Sequence, residues 1–204
     1  AGCHFDPKQN VTFARLLRDA GYATAIAGKW QINDFRVQPN VLKEHGFDAW
    51  CMWTGYEGQN PPSGRRYWDP YVYTSGEQSR THRDRFGPDV FTDFLVEFMK
   101  RHRRQPMLLY FPMVLTHGPQ VHTPEKLNVK TRQEKHEAMV RYTDRLVGRL
   151  VATLDELAIR RRTIVIFTTD NGTSKRFRAR MQGPSGVRVV RGGKGLLTEN
   201  GPWQ

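Results

Sequence analysis

The sequence reads as an α/β fold, a mostly parallel sheet with helices on both faces. Segments with apolar residues at helical spacing alternate along the chain with short runs that are apolar throughout. Continuous apolar runs suit strands buried on both sides, which is the situation of a parallel sheet covered by its own crossover helices. A further observation points the same way: glycine or polar residues follow closely behind each apolar run, as expected where ligands gather beyond the carboxyl ends of the strands.

Taken in order, Asn10 is placed to cap a helix carrying Phe13, Leu16, Leu17 and Ala20 on one face, with Gly21 closing it in the left-handed conformation. Tyr22 to Ala27 then reads as a short strand. Between about Asp34 and Gly87 lies a Gly-, Pro- and aromatic-rich stretch with little periodicity, expected as an irregular excursion over the sheet within one domain spanning 1–204. Pro88 opens a second helix with Phe91, Phe94, Leu95 and Phe98 on one face, and Met107 to Phe111 follows as a strand. A long helix from about Thr131 carries Met139, Thr143, Leu146, Leu150, Leu154 and Leu157 inward. The β-branched run Thr163 to Phe167 completes the pattern as a third strand.

At 38% hydrophobic and 25% charged residues, the composition is that of a globular domain rather than a disordered chain. No apolar stretch approaches the roughly 18 to 20 residues of a membrane helix, so no membrane partner is expected. The amino-terminal residues lack the layout of a secretory signal and look cut. Cys3 and Cys51 form neither a disulfide framework nor a zinc-ligand pattern. The formal net charge of +12 favours polyanionic partners, among which sulfated glycans, nucleic acid and anionic lipid all qualify. Nucleic acid is not expected, because no recognised binding motif accompanies the charge. Two arginine clusters, 101–104 and 160–162, fall at helix ends, where the helix dipole favours cations. The run Lys175 to Arg180 is the better candidate for an anion-binding loop.

Behind the apolar runs stand Gly28-Lys29-Trp30-Gln31, Thr116-His117-Gly118-Pro119 and Thr168-Thr169-Asp170-Asn171-Gly172, with a fourth loop at Gly192-Gly193-Lys194-Gly195. Two lysines, a histidine and an adjacent carboxylate and amide form a set able to handle an oxyanion beside a hard metal ion. Lysines neutralise charge on transferring oxygens, and Asp and Asn oxygens suit Ca²⁺, with Mg²⁺ as the alternative. Each piece alone has an ordinary reading as a turn or a structural histidine.

Together, in order, they resemble the sulfatases of the alkaline-phosphatase superfamily. Gly21-Tyr22-Ala23-Thr24 leading to Gly28-Lys29-Trp30 is similar to the second sulfatase signature. Gly46-Phe47-Asp48, Tyr110-Phe111-Pro112 with His117-x-Pro119, Tyr142-x-x-Asp144-Arg145-x-Val147-Gly148, Thr168 to Gly172 and Gly193-Lys194-Gly195 follow in family order. The resemblance implies a sulfuric ester hydrolase in which Lys29 and Lys194 contact the sulfate, His117 assists the leaving group, and Asp170 with Asn171 supply metal ligands. It further implies a formylglycine nucleophile made from Cys or Ser in a Cys/Ser-x-Pro-x-Arg motif, a sulfate ester substrate such as a sulfated glycan, and a secreted, periplasmic or lysosomal setting.

This sequence departs from the pattern in four places. It contains no Cys/Ser-x-Pro-x-Arg motif and no paired aspartates on an earlier strand, so the chain is expected to be an incomplete and inactive sulfatase domain whose metal site is at best half formed. Gln31 stands where the family has histidine, and Glu199-Asn200-Gly201 replaces Glu-Gly-Gly. The alternative readings are a degenerate sulfatase-like protein that binds anionic polymers, and a phosphodiesterase or phosphonate hydrolase of the same superfamily.

Overall fold

In a computed structural model of the chain, the structure describes residues 5–53, 66–183 and 186–194. Among them α1 (Phe13–Asp19) leads into β1 (Ala23–Lys29), then α2 (Val41–Glu44), β2 (Ala49–Trp53), β3 (Tyr71–Thr74) and β4 (Arg80–Thr81). The chain continues through α3 (Gly87–His102), β5 (Met107–Tyr110), α4 (Arg132–Glu156) and a hairpin of β6 (Arg178–Gly183) with β7 (Gly186–Arg191). The main sheet has the order β4-β3-β2-β1-β5. β1 runs parallel to both β2 and β5, and β3 and β4 add antiparallel strands at one edge.

The pleat of β1 and β2 decides what covers each face, because successive side chains alternate between faces. Ala23, Ala25, Ala27, Cys51 and Trp53 face Phe91, Leu95 and Phe98 of α3 and Met139, Tyr142 and Leu146 of α4. The alanines let α3 lie close on the strand, and each fully buried Phe or Leu beneath it contributes roughly 1.5–3 kcal/mol. Ile26, Trp50 and Met52 face the other way, onto Ala14 of α1 and Val41 and Leu42 of α2. Helices therefore cover both faces, as the sequence implies.

Two of the motifs meet here. The Thr24 hydroxyl donates to Gly46 O at 2.7 Å, and Asp48 Oδ2 accepts from Thr24 N at 3.0 Å, which ties the start of β1 to the turn entering β2. α3 and α4 are joined by the Tyr142 hydroxyl, 2.8 Å from both Asp89 carboxylate oxygens. α4 begins with Thr131 and Glu134 in a reciprocal capping box.

Four expectations need correction. The segment 34–87 is not an irregular excursion in its described part, since it carries α2 and three strands of the main sheet; its aromatic residues are strand and core residues. Thr163 to Phe167 forms no strand among the described residues, and Ile164 is 87% and Ile166 82% exposed. A β-branched run favours extended backbone but cannot supply the neighbour that a ladder needs. β5 is half-buried rather than covered on both faces, because it is the edge strand. In α1 the cap is Thr12 rather than Asn10, and the buried side chain is Ala14, while Phe13 and Leu16 are exposed. Gly21 does take the left-handed conformation, with φ 89°.

Candidate active site

β1 delivers Lys29 to the carboxyl end of the sheet, between β2 and the segment leaving β5. Lys29 N donates to Pro112 O at 2.8 Å, and the next residue, Trp30, donates to Trp53 O at 3.0 Å. This approach requires Gly28. Its φ is +122°, and a Cβ there would lie 2.3 Å from Pro112 O. The Lys29 ammonium is held below its ordinary pKa, first by burial, then by repulsion from the guanidinium of Arg66 and the ammonium of Lys194, with the Asp170 carboxylate opposing. Arg66, Asp170 and Lys194 thus each lie within electrostatic reach of Lys29.

Lys194 arrives from the far end of the chain. Its backbone N–H donates to Thr173 O at 2.9 Å, just beyond Asp170, Asn171 and Gly172. Gly192 makes that crossing feasible, since a Cβ there would meet Ser174 O at 2.2 Å and Thr173 O at 2.4 Å. His117 ends the turn after β5, its N–H donating to Val114 O at 3.2 Å. Below it the buried Tyr67 hydroxyl lies 2.7 Å from Val114 O and 2.5 Å from His117 O. Burial pushes that phenol up to about 12, so it remains a donor at physiological pH. Gln31, half-buried, lies two residues past Lys29. Gly195 and Glu199 to Gly201 lie outside the described residues.

Sequence reasoning missed Arg66. It is 2% exposed, with its guanidinium carbon 4.9 Å from the Trp53 ring centroid and 5.3 Å from that of Tyr67. Its Nη2 lies 2.9 Å from His117 Nδ1 and also donates to Gly118 O. Arg66 therefore links the Lys29 cluster to His117. The sequence places Arg66 in the basic and aromatic run Arg65-Arg66-Tyr67-Trp68, which has the composition of a solvated loop, so no local signal marks it as buried.

The oxygens of Asp170 and Asn171 suit a hard cation. Among the described residues, however, no group of three or more His, Cys, Asp or Glu residues is arranged to hold a metal ion. Two neighbouring donors fall short of the six or more oxygens that Ca²⁺ takes, so the described residues do not make up a complete metal site. Cys51 is no nucleophile: it is buried opposite Ala27 in the ladder, and burial pushes its thiol up to about 12.

The described fold is that of solved sulfatases. The crystal structure of PsFucS1 sulfatase from Pseudoalteromonas sp. superposes with a TM-score of 0.65 at 20% identity, covering 98% of this chain and 45% of that one. Over residues 4–189 the chain matches the family model Sulfatase, and it belongs to that family. It is 31% identical over 186 residues to N-acetylgalactosamine-6-sulfatase of Canis lupus familiaris, covering 82% of this chain and 34% of that protein. It is 28% identical over 188 residues to the ulvan-active sulfatase of Formosa agariphila, covering 81% of this chain and 36% of that protein. The chain spans about a third of the length of these curated relatives. No helix among the described residues is long and apolar enough to cross a membrane.

Proposed function

We propose that this chain forms the sulfate-binding edge of a sulfuric ester hydrolase acting on a sulfated glycan. What supports the reading is that Arg66, Asp170 and Lys194 each act electrostatically on Lys29 at the end of β1, and that Arg66 also contacts His117. Lys29 and Lys194 neutralise the nonbridging oxygens of the ester sulfate, and that neutralisation grows in value as charge builds on them in the transition state. His117 donates a hydrogen bond to the bridging oxygen and so stabilises the charge that builds there as the alcohol leaves. Asp170 and Asn171 offer oxygens to a cation. Sulfatases in general use a metal ion and a formylglycine, which supply Lewis acidity and the attacking oxygen. The formylglycine precursor motif does not occur within these 204 residues.

A glycan is favoured over a small aryl sulfate by the surface beside His117. A depression of about 300 Å³ lined by Pro119, Gln120, Lys130, Arg132 and Lys135 opens there, with three cations at its rim. Together with the net charge of +12, it suits further anionic groups along a polymer. The names of the relatives, which include an ulvan-active sulfatase, agree with such a substrate. Such substrates fit a secreted, periplasmic or lysosomal setting.

Calorimetric titration with N-acetylgalactosamine 6-sulfate and its desulfated form tests the reading. The sulfated sugar should bind, and Lys29→Met or Lys194→Met should weaken it about 10- to 100-fold, the worth of one hydrogen bond to a charged group. Equal affinity for the two sugars would sink the proposal. The 204-residue chain should show no turnover of an aryl sulfate, for want of the covalent step. Turnover abolished by Lys29→Ala would overturn that account. The non-enzymatic reading, a binder of anionic polymers, draws on Gln31 in the place of the family's histidine. It gains ground if Gln31→His in an active longer form fails to raise turnover.

A further inference from the structure

Among the described residues, Arg66 is a buried cation with no ion-pair partner, and its Nε is buried with no hydrogen-bond partner. Burying an unpaired charge is costly, so the site that holds it is either strained for a purpose or completed by an anion. The faces of Trp53 and Tyr67 compensate part of the cost through cation–π attraction. They also fix the guanidinium plane, leaving Nη2 aimed at a single neighbourhood that contains His117 Nδ1 and Gly118 O.

Three polar atoms crowd that neighbourhood, and their chemistry allows only certain proton placements. Arginine has hydrogens to donate and no lone pair to accept, and a carbonyl oxygen only accepts. Nη2 carries two hydrogens, and its hydrogen bonds to described residues go to Nδ1 and Gly118 O. Nδ1 also lies 2.8 Å from Gly118 O, a contact that a proton on Nδ1 would satisfy. That assignment, however, would set an imidazole N–H against a permanently protonated guanidinium 2.9 Å away. With the lone pair on Nδ1, Nη2 bridges both acceptors, each receiving one hydrogen.

We propose that Arg66 is a positioning residue for His117: by donating to Nδ1 it keeps the imidazole proton on Nε2, the nitrogen no described residue engages, ready to donate a hydrogen bond to the leaving oxygen of a sulfate ester. The proposal rests on the sulfatase reading for what Nε2 meets, but the Arg66–His117 contact itself does not. The same guanidinium adds to the positive field at Lys29. One buried cation thus serves both the sulfate and the leaving group, while its own Nη2 stays on protein atoms.

Long-range ¹H–¹⁵N NMR of the imidazole rings in the ¹⁵N-labelled 204-residue chain tests this, with His117 assigned through His117→Gln. The wild type should show the Nε2–H form alone, and Arg66→Met should show a mixture of the two tautomers, while the rings of His45 and His136 keep their positions as reporters of an intact fold. A wild-type Nδ1–H form overturns the proposal, as does an Nε2–H form that Arg66→Met leaves unchanged. Should Arg66→Met fail to fold, the wild type still decides through scalar coupling across the hydrogen bond between Arg66 Nη2 and His117 Nδ1. Its presence supports the contact and its absence refutes it. Saturation with N-acetylgalactosamine 6-sulfate separates the two proposals. Movement of the Nε2 signal supports the role at the ester. A stationary signal removes that role, even where the tautomer shows that Arg66 holds the ring.

Discussion

Lys29 shows at the scale of one residue how a binding site opposes stability. Its ammonium is partly buried and repelled by Arg66 and Lys194, so its folded pKa lies below the ordinary 10.5. Between those two values the unfolded chain binds more protons than the folded one, and stability rises with pH across that window. Below the window the folded chain carries the full cost of the charge. Lys29→Met should therefore raise the urea midpoint at pH 7, and the gain should shrink as pH approaches 10.5. The same variant loses sulfate affinity, the trade expected of a functional charge. A midpoint at pH 7 that falls on substitution would show that Lys29 is stabilised by its surroundings, contrary to the repulsion assigned here. Arg66 belongs to the same scale. Its neighbours in space, His117 and Gly118, are 51 and 52 residues away in sequence, so no local pattern announces the contact.

At the scale of elements, the β6–β7 hairpin is the one to test, because it leads into the loop that carries Lys194. Its attachment to the rest of the molecule is slender. Phe177 stacks on His136 of α4 with ring centroids 3.9 Å apart, and Gln133 donates to Arg178 O at 2.9 Å. Gly192 N donates in turn to Phe177 O at 3.0 Å, so the stack anchors the turn on which the Lys194 loop rests. Phe177→Ala should free this unit without unfolding the main sheet. Amide exchange across 186–194 should speed by about 10- to 100-fold, a loss on the order of 1.4–3 kcal/mol of local stability. Exchange in β1 should be unchanged and sulfate affinity should fall. Exchange that rises equally in β1 would mean that the hairpin and the main sheet open together. The basic run 175–180 is thus partly spent on structure. Phe177 is its buried member, and Lys175 O accepts from Arg191 Nε at 2.7 Å.

The whole molecule carries a pH dependence set by its buried and half-buried histidines. His45, His82 and His136 all have pKa values below the ordinary 6.5, each chiefly through burial. Between the folded values and 6.5 the unfolded chain binds more protons, so stability is full above 6.5, declines as pH falls through that window, and levels off below it. Urea midpoints measured from pH 7.5 to 5 should follow that course, and His45→Gln should flatten part of it. His45 is the strongest of the three anchors: it is fully buried, stacks on Phe5 at 4.4 Å and pairs through Nε2 with Phe5 O at 3.0 Å. A midpoint that rises on acidification would contradict the assigned direction. Should the protein work in an acidic compartment, this decline sets a lower limit to its stability there.

The sequence by itself determined the α/β class, the long helices and the family. Helical periodicity and strand composition are written within a dozen or so neighbouring residues, and α3 and α4 lie where Pro88 and Thr131 mark their starts. Ordered short motifs marked Lys29, His117, Asp170 and Lys194 as candidate site residues, because turn and glycine chemistry is also local. Tertiary structure decided what depends on neighbours distant in sequence. Thr163 to Phe167 has the composition of a strand and no partner among the described residues, whereas the aromatic stretch before Gly87 has poor periodicity and supplies three strands. A strand is completed by a ladder, and a ladder is a contact between segments. Arg66 follows the same rule: charge is visible in sequence, but burial, an aromatic clamp and a histidine to hold arise only when β2, the turn after β5 and the chain around residue 66 pack together.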